Sequence, residues 1–345
     1  MNLDHVTVII PAHNRPERLN RLLAYYSATN IKVIVSDSSS KKFDCINRYP
    51  DVIYKHYPNE EFLWKINHIL PLIDTPYVVY CADDDFIVPE AIAQITNYLN
   101  LHPDFTTAQG HYLTFEVKKG KVSFSPRYIR HFDKKIEATT GAGRLARYND
   151  IYASNLYSII RTETFKRMYT AVEKKGNELR FRNLFLAEEY FNLFSLIHGN
   201  YITLPCFYSA REYIENSATS TTVPFSVVQH DEKYKEEYAN FIDILATELA
   251  EKDTISYQEA AHIIHSTIER PRTNSGLSFK RKVIAAINRA AKSKWLENVF
   301  MNRYKQKGRR IVKGMSSYPY TGQTPETIRI KACILNGNTT NKKSG

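Results

Sequence analysis

The chain contains the stretch Tyr77-Val78-Val79-Tyr80-Cys81-Ala82-Asp83-Asp84-Asp85-Phe86, an apolar run that ends in three consecutive carboxylates. Such a run predicts a buried strand, and ligands of open α/β sheets bind outside the carboxyl ends of strands. Adjacent carboxylates repel one another, and a hard cation such as Mg²⁺ or Mn²⁺ relieves the repulsion while it bridges to diphosphate oxygens. The stretch therefore predicts a metal site at a sheet edge. The alternative is a solvated acidic turn before a helix at Pro89.

Short apolar runs alternate with helical patterns around this strand, which is the signature of βαβ units. The predicted strands are Val6–Ile10, Ile31–Ser36, Val52–His56 and Tyr77–Cys81. One predicted helix begins at Pro16, and two more span about Phe62–Leu70 and Pro89–Leu99. This order predicts an α/β fold with a Rossmann-like, mainly parallel central sheet and helices on both faces.

The alternation changes beyond Pro103. The next predicted elements are a hairpin of Ala108–Val117 and Lys121–Ser125, a strand near Leu156–Arg161, a helix over Leu184–His198 that stops at Gly199, and a strand over Tyr201–Pro205. After Thr222 the pattern is mostly helical, over about Asp231–Glu251, Ser256–Glu269 and Phe279–Phe300. The polar tail from about Lys331 predicts disorder.

The net charge of +11 is concentrated in one part of the chain. Twelve Lys and Arg residues lie between Ser278 and Lys313 against one acid, Glu297, so this segment alone carries +11. The charge therefore belongs to a C-terminal extension and not to the body of the protein. The segment has few aromatic residues and no recognised binding motif, so we expect no nucleic-acid partner, although a nucleic-acid-binding protein stays an alternative.

Targeting and redox features predict a cytoplasmic protein. The apolar Val6–Ile10 follows the first residues with no basic leader, and no apolar run approaches about 18 residues, so we expect neither a signal peptide nor a membrane span. The chain has four cysteines, which are far apart and lack metal-ligand spacing: Cys45, Cys81, Cys206 and Cys333. We expect them to be reduced thiols.

The predicted helix Phe279–Phe300 combines an apolar stripe with many cations. This pattern is typical of a helix that lies on an anionic membrane, which would make the protein peripheral to the inner face of the membrane. The alternative is that the stripe packs against the catalytic domain or a second subunit. The sequence leaves the oligomeric state open.

Four segments resemble, in order and spacing, the GT-A glycosyltransferases of the family 2 type. In that family the first strand is followed by Pro-x-x-Asn-Arg, which implies that Pro11, Asn14 and Arg15 line a nucleotide pocket. Val33–Ser40 resembles the family segment that ends Asp-Asp-Gly-Ser, whose first Asp contacts the base or ribose. The resemblance implies that role for Asp37.

The third segment is the pair Asn59 and Asn67, which are eight residues apart. In the family, an Asn-x-Gly segment is followed by a second Asn on the helix beside the nucleotide. Asn59 and Asn67 match these two asparagines. Glu61 stands where the family has Gly, and Lys65 stands where it has Ala. The resemblance implies that Asn59 and Asn67 line the donor pocket, where Lys65 would be long enough to reach a phosphate.

The fourth segment is the acidic triplet, with Pro89 four residues beyond it. It matches the family's metal-binding segment, with Ala82 where many members have their first Asp. The resemblance implies that Asp85, with Asp83 completing an Asp-x-Asp pair, holds Mn²⁺ or Mg²⁺. It also implies that Asp83 or Asp84 contacts ribose or a bridging water.

A fifth element is Leu186–Tyr190, about a hundred residues after the triplet. Inverting members have Glu-Asp there, and the second carboxylate is the catalytic base, which implies that role for Glu189 with Glu188 beside it. Adjacent helical residues point about 100° apart, so both cannot face one acceptor hydroxyl. The alternative is an exposed acidic helix start favoured by the helix dipole.

The segment Ser209–Tyr213 follows the last predicted strand. A mobile loop closes over the donor at this place in many such enzymes, which implies that Arg211 binds the diphosphate. A surface salt bridge from Arg211 to Glu212 or Glu215 is the alternative.

The resemblance implies a metal-dependent inverting glycosyltransferase. It would move a sugar from a nucleoside diphosphate sugar, with a UDP-sugar favoured, to a hydroxyl of a surface-polysaccharide or lipid-linked glycan acceptor. The predicted domains are a catalytic domain over 1–222 (donor half about 1–103, acceptor half about 104–222), a helical basic extension over 223–330 and a disordered tail over 331–345. The alternative enzyme is a nucleotidyltransferase acting on sugar phosphates, although no Gly-rich, Lys-bearing phosphate loop follows Pro11.

Overall fold

The computed structural model describes residues 3–127, 134–149, 154–173, 181–214, 222–270 and 324–339. Its strands are β1 Val6–Ala12, β2 Lys32–Asp37, β3 Ile53–His56, β4 Tyr77–Tyr80, β5 Phe86–Ile87, β6 Phe105–Lys118, β7 Lys121–Arg127, β8 Lys135–Ile136, β9 Ile159–Arg161 and β10 Asn200–Glu212. Its helices are α1 Pro16–Tyr26, α2 Phe62–Asn67, α3 Pro89–Leu101, α4 Gly141–Tyr148, α5 Thr162–Glu173, α6 Leu184–His198, α7 Phe225–Val228, α8 Lys235–Asp253, α9 Tyr257–Glu269 and α10 Pro325–Thr339.

All the strands belong to one sheet in the order β3-β2-β1-β4-β9-β6-β10-β5, with β7 beside β6 and β8 beside β10. The first four strands pair in parallel, as do β6 and β10. The pairs that involve β5, β7, β8 and β9 are antiparallel. The α/β fold is confirmed, and the predicted parallel sheet describes its N-terminal half, whereas the other half is mixed.

The parallel strands are buried on both faces because helices cover both sides of the sheet. Successive side chains of a strand point to opposite faces. Val8 and Ile10 of β1 therefore join the core formed with α1 and α3, whereas Ile9 joins the core on the other face with Val78 of β4 and with α2 and α6. This double burial explains why these strands read as continuous apolar runs in the sequence.

Helix α1 begins where the sequence predicts. Pro16 occupies its first turn, where a fixed φ and a missing N–H cost nothing. Leu19, Leu22 and Leu23 lie at helical spacing and are buried against the sheet. Burial of each leucine contributes about 1.5–3 kcal/mol, so this face of α1 is a main support of the N-terminal sheet.

Helix α6 has the predicted bounds. The side chain of Asn183 caps its first turn by accepting from the N–H groups of Phe185 and Leu186. Gly199 follows its last turn with an extended backbone, φ −178°. A Cβ at Gly199 would overlap Thr106 Oγ1 of β6. Glycine is therefore required there because the helix end lies close to the sheet, and not because the backbone is left-handed.

The described helices after residue 222 pack into the same core as α6. Phe241, Leu245 and Leu249 of α8 belong to the cluster that contains Phe194 of α6. Asp253 accepts hydrogen bonds from the first N–H groups of α4 at 2.7 and 2.8 Å. The described part of the predicted extension is therefore integrated with the sheet domain.

The structure corrects the prediction of a disordered tail from residue 331. Residues 325–339 form helix α10, in which Ile330 and Ile334 are fully buried in the core beside α1. Arg329 pairs with Glu90 of α3 at 2.7 Å and lies over the Tyr25 ring. The tail is polar in composition, so its short apolar stripe could not be recognised without the surface against which it packs.

Other predicted elements differ from the observed ones in their bounds. The last sheet strand, β10, runs to Glu212 instead of ending at Pro205, so the predicted loop around Arg211 is part of the sheet. Helices α4 and α5 were not predicted. The basic segment and its predicted helix Phe279–Phe300 lie outside the described residues. The four cysteines are free thiols, and no helix in the described part of the chain is long and apolar enough to cross a membrane.

Candidate active site

The polar segments that follow β1, β2 and β4 meet at the carboxyl edge of the parallel strands. Ala12 pairs with Asp37, and Ile9 pairs with Tyr80, so the three strands end close to one another. This is the edge at which open α/β sheets bind ligands. Parallel pairing therefore brings residues 13–15, 38–40 and 82–85 together from separate parts of the sequence.

The loop after β1 is fixed by hydrogen bonds to the other two segments. Asn14 has φ 52°, a left-handed conformation that asparagine tolerates. Its backbone N–H donates to Ser39 Oγ at 2.7 Å, and its Oδ1 accepts from the Ser40 N–H at 3.2 Å. The His13 N–H donates to Asp83 Oδ2 at 3.2 Å. Asn14 thus shapes the loop that presents Arg15.

Asp37 supports the turn after β2. Its Oδ1 accepts from the N–H and the hydroxyl of Ser39 at 2.8 and 2.5 Å, and its Oδ2 accepts from the Tyr54 hydroxyl at 2.6 Å. The residue is only 1% exposed. A carboxylate has about four lone-pair sites, so a contact with a base or ribose would be additional to these bonds.

Lys65 of α2 lies beneath the site instead of on its surface. Its Nζ donates to Ala12 O at 2.7 Å and to Ser38 Oγ at 3.0 Å, which ties the ends of β1 and β2 together. Burial lowers the pKa of Lys65 to about 8, while the nearby Asp83 and Asp37 oppose that fall. Lys65 is therefore a buried cation that supports the loops.

The two predicted asparagines occupy different positions. Asn59 has φ 63°, and its N–H donates to Ser38 O at 3.0 Å, which joins it to the turn after β2. Asn67 follows Lys65 by two residues, about 200° around the helix. Asn67 is half-buried and is the last residue of α2.

Asp83 and Asp84 share one arginine. Arg15 Nη1 donates to Asp84 Oδ2 at 2.6 Å and to Asp83 Oδ1 at 3.3 Å. The Arg15 side chain is 27% exposed, whereas that of Asp83 is 5% exposed. The guanidinium thus covers the two carboxylates from the open side.

Asp85 is held by β10. Arg211 Nε donates to Asp85 Oδ2 at 2.9 Å, and the Glu212 N–H donates to Asp85 Oδ1 at 3.1 Å. Arg211 therefore pairs with the acidic triplet. Glu212 instead binds α1, where Arg21 Nη2 and Arg18 Nε donate to its Oε2 at 2.8 and 3.0 Å.

Arg18 and Arg21 of α1 were missed as part of the site, whereas Arg15, which precedes the helix, was predicted. Arg15, Arg18 and Arg21 recur every third residue, so they lie along one side of the helix. Arg21 also donates to the backbone carbonyl of Asp84 at 3.1 Å. The spacing was visible in the sequence, but their acidic partners lie on distant strands.

The donor atoms of the triplet fit a hard divalent cation. Burial raises the pKa of Asp83 to about 6, with a further increase from the charge of Asp84 that Arg15 opposes. Burial also raises the pKa of Asp85 to about 7, against the effect of Arg211. The free-energy cost of burying these ionised carboxylates would fall if a cation bound between them. No group of three or more His, Cys, Asp and Glu side chains in the described residues is arranged to hold a metal alone. A cation there would need phosphate oxygens as further ligands, as Mg²⁺ commonly does.

The structure distinguishes the two glutamates of α6. Glu189 is 5% exposed and accepts from the Tyr148 hydroxyl of α4 at 3.1 Å, within the helical core. Glu188 is half-buried, and its charge is one of those that raise the pKa of Tyr157. The charges of Asp85 and Arg211 also act on Tyr157, so Glu188 lies on the side of α6 toward Tyr157, whereas Glu189 bonds to Tyr148.

Tyr157 is a further residue that the sequence did not reveal. Its ring lies 4.6 Å from the Arg211 guanidinium carbon, a cation–π contact. It precedes β9 in a segment whose only sequence signal is a short apolar run. Its place between Arg211 and Glu188 follows from the tertiary fold.

The parallel strand ends, with acidic and basic groups converging on one loop edge, define an α/β domain of the nucleotide-binding kind. Residues 7–168 match the family described as glycosyl transferase family 2. The match covers a little under half of the chain, so residues 7–168 are similar to this family. The matched region includes β1 to β4 and the acidic triplet, and it ends before Glu188 and Arg211. No curated protein matches the chain by sequence.

The solved structures similar to this chain include TarS of S. aureus. Residues 1–349 of TarS in complex with UDP-GlcNAc share 16% identity, with 98% of this chain and 90% of that chain covered and a TM-score of 0.51. The same fragment in complex with UDP shares 14% identity over 78% of this chain and 73% of that one, with a TM-score of 0.49. A longer TarS structure shares 15% identity over 78% of this chain, with a TM-score of 0.48, and this chain covers 44% of it. The likeness to the UDP-GlcNAc complex supports the fold.

Proposed function

We propose that the chain transfers a sugar from a nucleoside diphosphate sugar to a hydroxyl group of a glycan acceptor, with inversion at the anomeric carbon. The observation that carries the proposal is the convergence of Asp83–Asp85, Arg15 and Arg211 at the carboxyl ends of β1 and β4. All of these residues except Arg211 lie in the region that matches family 2. Carboxylates for a cation and arginines for phosphate oxygens are the groups that a diphosphate donor requires.

The donor would enter at the loop edge. The proposed nucleotide contacts are Pro11 and Asn14 in the loop after β1 and Asp37 after β2, with Arg15 near the phosphates. A uridine nucleotide is the first donor to test, because the similar TarS fragment is described in complexes with UDP and UDP-GlcNAc.

Asp85 and Asp83 are the proposed ligands of Mn²⁺ or Mg²⁺, with Asp84 left to contact ribose or a bridging water. The cation would neutralise charge that grows on the nucleoside diphosphate as it leaves. Arg15 and Arg211, which now pair with these carboxylates, would then be able to move toward the phosphate oxygens.

Glu188 is the proposed general base, in place of Glu189. Its carboxylate would take the proton of the acceptor hydroxyl as that oxygen attacks the anomeric carbon. The bond from the anomeric carbon to the phosphate oxygen breaks in the same step, and the nucleoside diphosphate departs with the electron pair. Glu189 would hold α6 against α4 through Tyr148.

The acceptor is proposed to be a surface polysaccharide or a lipid-linked glycan, used on the cytoplasmic side of a membrane. This proposal comes from the family resemblance. Attachment through the basic segment between Ser278 and Lys313 also stays a proposal, because that segment lies outside the described residues.

The donor can be identified by thermal unfolding with a panel of sugar nucleotides, each with Mn²⁺ and with EDTA. We expect a UDP-sugar with Mn²⁺ to raise the unfolding midpoint by several degrees, because binding to the native state alone stabilises it. Release of UDP on addition of glycan acceptors then measures transfer. Stabilisation by a nucleoside triphosphate and a sugar phosphate, and by no sugar nucleotide, would contradict the proposal.

A further inference from the structure

Arg211 lies between a buried carboxylate and the open side of the site. Its side chain is 21% exposed, whereas that of its partner Asp85 is 5% exposed. The ion pair therefore presents a positive charge above the acidic triplet. An arginine side chain has several rotatable bonds, so its position there needs support beyond one hydrogen bond.

Tyr157 provides that support from the side. Its ring contacts the Arg211 guanidinium at 4.6 Å, and its backbone carbonyl accepts from the Tyr208 hydroxyl at 2.6 Å. Burial raises the pKa of the Tyr157 hydroxyl, which is therefore neutral at physiological pH. The ring thus offers a fixed π face, and not a negative charge, to the arginine.

The segment that carries Tyr157 is attached to α6. The Asn155 N–H donates to Asn192 Oδ1 at 3.0 Å, and Asn155 Nδ2 donates to Ser195 Oγ at 2.6 Å. Helix α6 also carries Glu188. Tyr157 therefore connects the arginine above the acidic triplet with the helix that bears the proposed base.

We propose that Tyr157 is a positioning residue, whose ring holds the Arg211 guanidinium where a donor diphosphate would meet it. The inference rests on the proposed function, because it assigns Arg211 to the phosphates. The ring is the active feature, so the hydroxyl should be dispensable. Loss of the ring should weaken donor binding more than it lowers the rate of sugar transfer from a bound donor.

The test uses the full-length chain with four variants: Tyr157→Phe, Tyr157→Leu, Arg211→Gln and the double variant Tyr157→Leu with Arg211→Gln. Calorimetry with UDP and Mn²⁺ gives the affinity, and steady-state transfer separates KM from kcat. Tyr98→Leu is the matched control, because Tyr98 is a partly buried tyrosine that stacks on His102 at a distance from the acidic triplet.

We expect Tyr157→Leu to weaken UDP binding and raise the donor KM by about tenfold, the size of a partly desolvated cation–π contact. Tyr157→Phe should stay within about twofold of the parent chain, and so should Tyr98→Leu. Tyr157→Leu should add little in the Arg211→Gln background, because its effect acts through that arginine.

Equal affinity of Tyr157→Leu and the parent chain would overturn the proposal, as would additive losses in the double variant. If Tyr157→Leu does not fold, Tyr157→Met decides instead. Methionine is flexible enough to fill the space but has no π face, so it should show the same tenfold loss while Tyr157→Phe does not. A parent chain that binds no nucleotide would refute the proposed function itself, which is a separate outcome.

Discussion

The carboxylates at the strand ends and those on α6 occur as runs of adjacent acids, but the fold uses them differently. Asp83, Asp84 and Asp85 follow one strand, and all three reach the same edge, where each meets an arginine. Glu188 and Glu189 lie in the second turn of a helix, which sends them to different surroundings. A strand end gathers neighbouring residues into one site, whereas a helix separates them by about 100°.

This contrast predicts that the strand-end carboxylates act together and the helical pair does not. The effects expected from substitutions and from pH range from loss of the reaction to a change in stability alone.

Asp85→Ala should reduce transfer by at least about a thousandfold, because it removes the carboxylate proposed to hold the cation. It should also abolish the Mn²⁺ dependence of nucleotide binding. The fold should survive, since the change leaves a polar edge and not a cavity in the core. Asp74→Ala, at an exposed carboxylate paired with Lys32, is the control. Full activity of Asp85→Ala, or activity that EDTA does not reduce, would exclude the metal assignment.

Glu188→Gln should lower kcat by about a hundredfold to ten-thousandfold while UDP affinity stays unchanged, because the amide cannot accept the proton. Glu189→Gln should retain transfer, because its amide oxygen can still accept from Tyr148. Its unfolding free energy should change by about 1 kcal/mol or less. Single-turnover transfer and UDP calorimetry on both variants give the answer. An inactive Glu189→Gln beside an active Glu188→Gln would restore the assignment made from the sequence.

The affinity for Mn²⁺ should fall about tenfold between pH 8 and pH 6. Burial raises the pKa of Asp85 to about 7 and that of Asp83 to about 6, so both carboxyls take up protons as the pH falls through this range. Protons then compete with the cation. Mn²⁺ titrations at several pH values measure the slope, and Asp85→Asn should flatten it. An affinity that is constant from pH 6 to pH 8 would contradict the ligand assignment.

Arg329→Ala should lower the free energy of unfolding by about 0.5–1 kcal/mol and leave UDP affinity unchanged. The ion pair of Arg329 with Glu90 is about one-third exposed, so solvent screens most of its energy. Urea unfolding measures the effect, with Lys235→Ala at an exposed helical pair as the control. A loss of UDP affinity would show that α10 influences the strand-end site.

The strand-end site was predictable because its parts are local in sequence. An apolar run followed by polar residues identifies a strand end, and parallel pairing then places Asn14, Asp37 and Asp85 at one edge without further information. The bounds of α6 were predictable for a similar reason. Its apolar residues cover enough turns to define a helix, and Gly199 marks its end.

The rest of the site depends on contacts between distant residues. Nothing in the sequence near Glu188 or Glu189 shows which one lies toward Tyr157, because the rotation of α6 is set by its packing on α4 and α8. Arg211 lies in a strand that pairs with β5 and β6, and Tyr157 reaches it from before β9. Burial of Lys65 likewise follows from the position of α2 beside β2.

Helix α10 has a consequence for the order in which the molecule assembles during synthesis. Arg329 reaches Tyr25 across 304 positions of the chain, and Ile330 and Ile334 complete the core beside α1. Contacts at such separation form late, because the intervening chain must be ordered first. Until residues 325–339 have been synthesised, the face of α1 that packs against α10 has no cover, and its apolar side chains are open to chaperones or to another nascent chain. The N-terminal half of the sheet, although it is made before α10, would thus become fully protected only after α10 has folded against it.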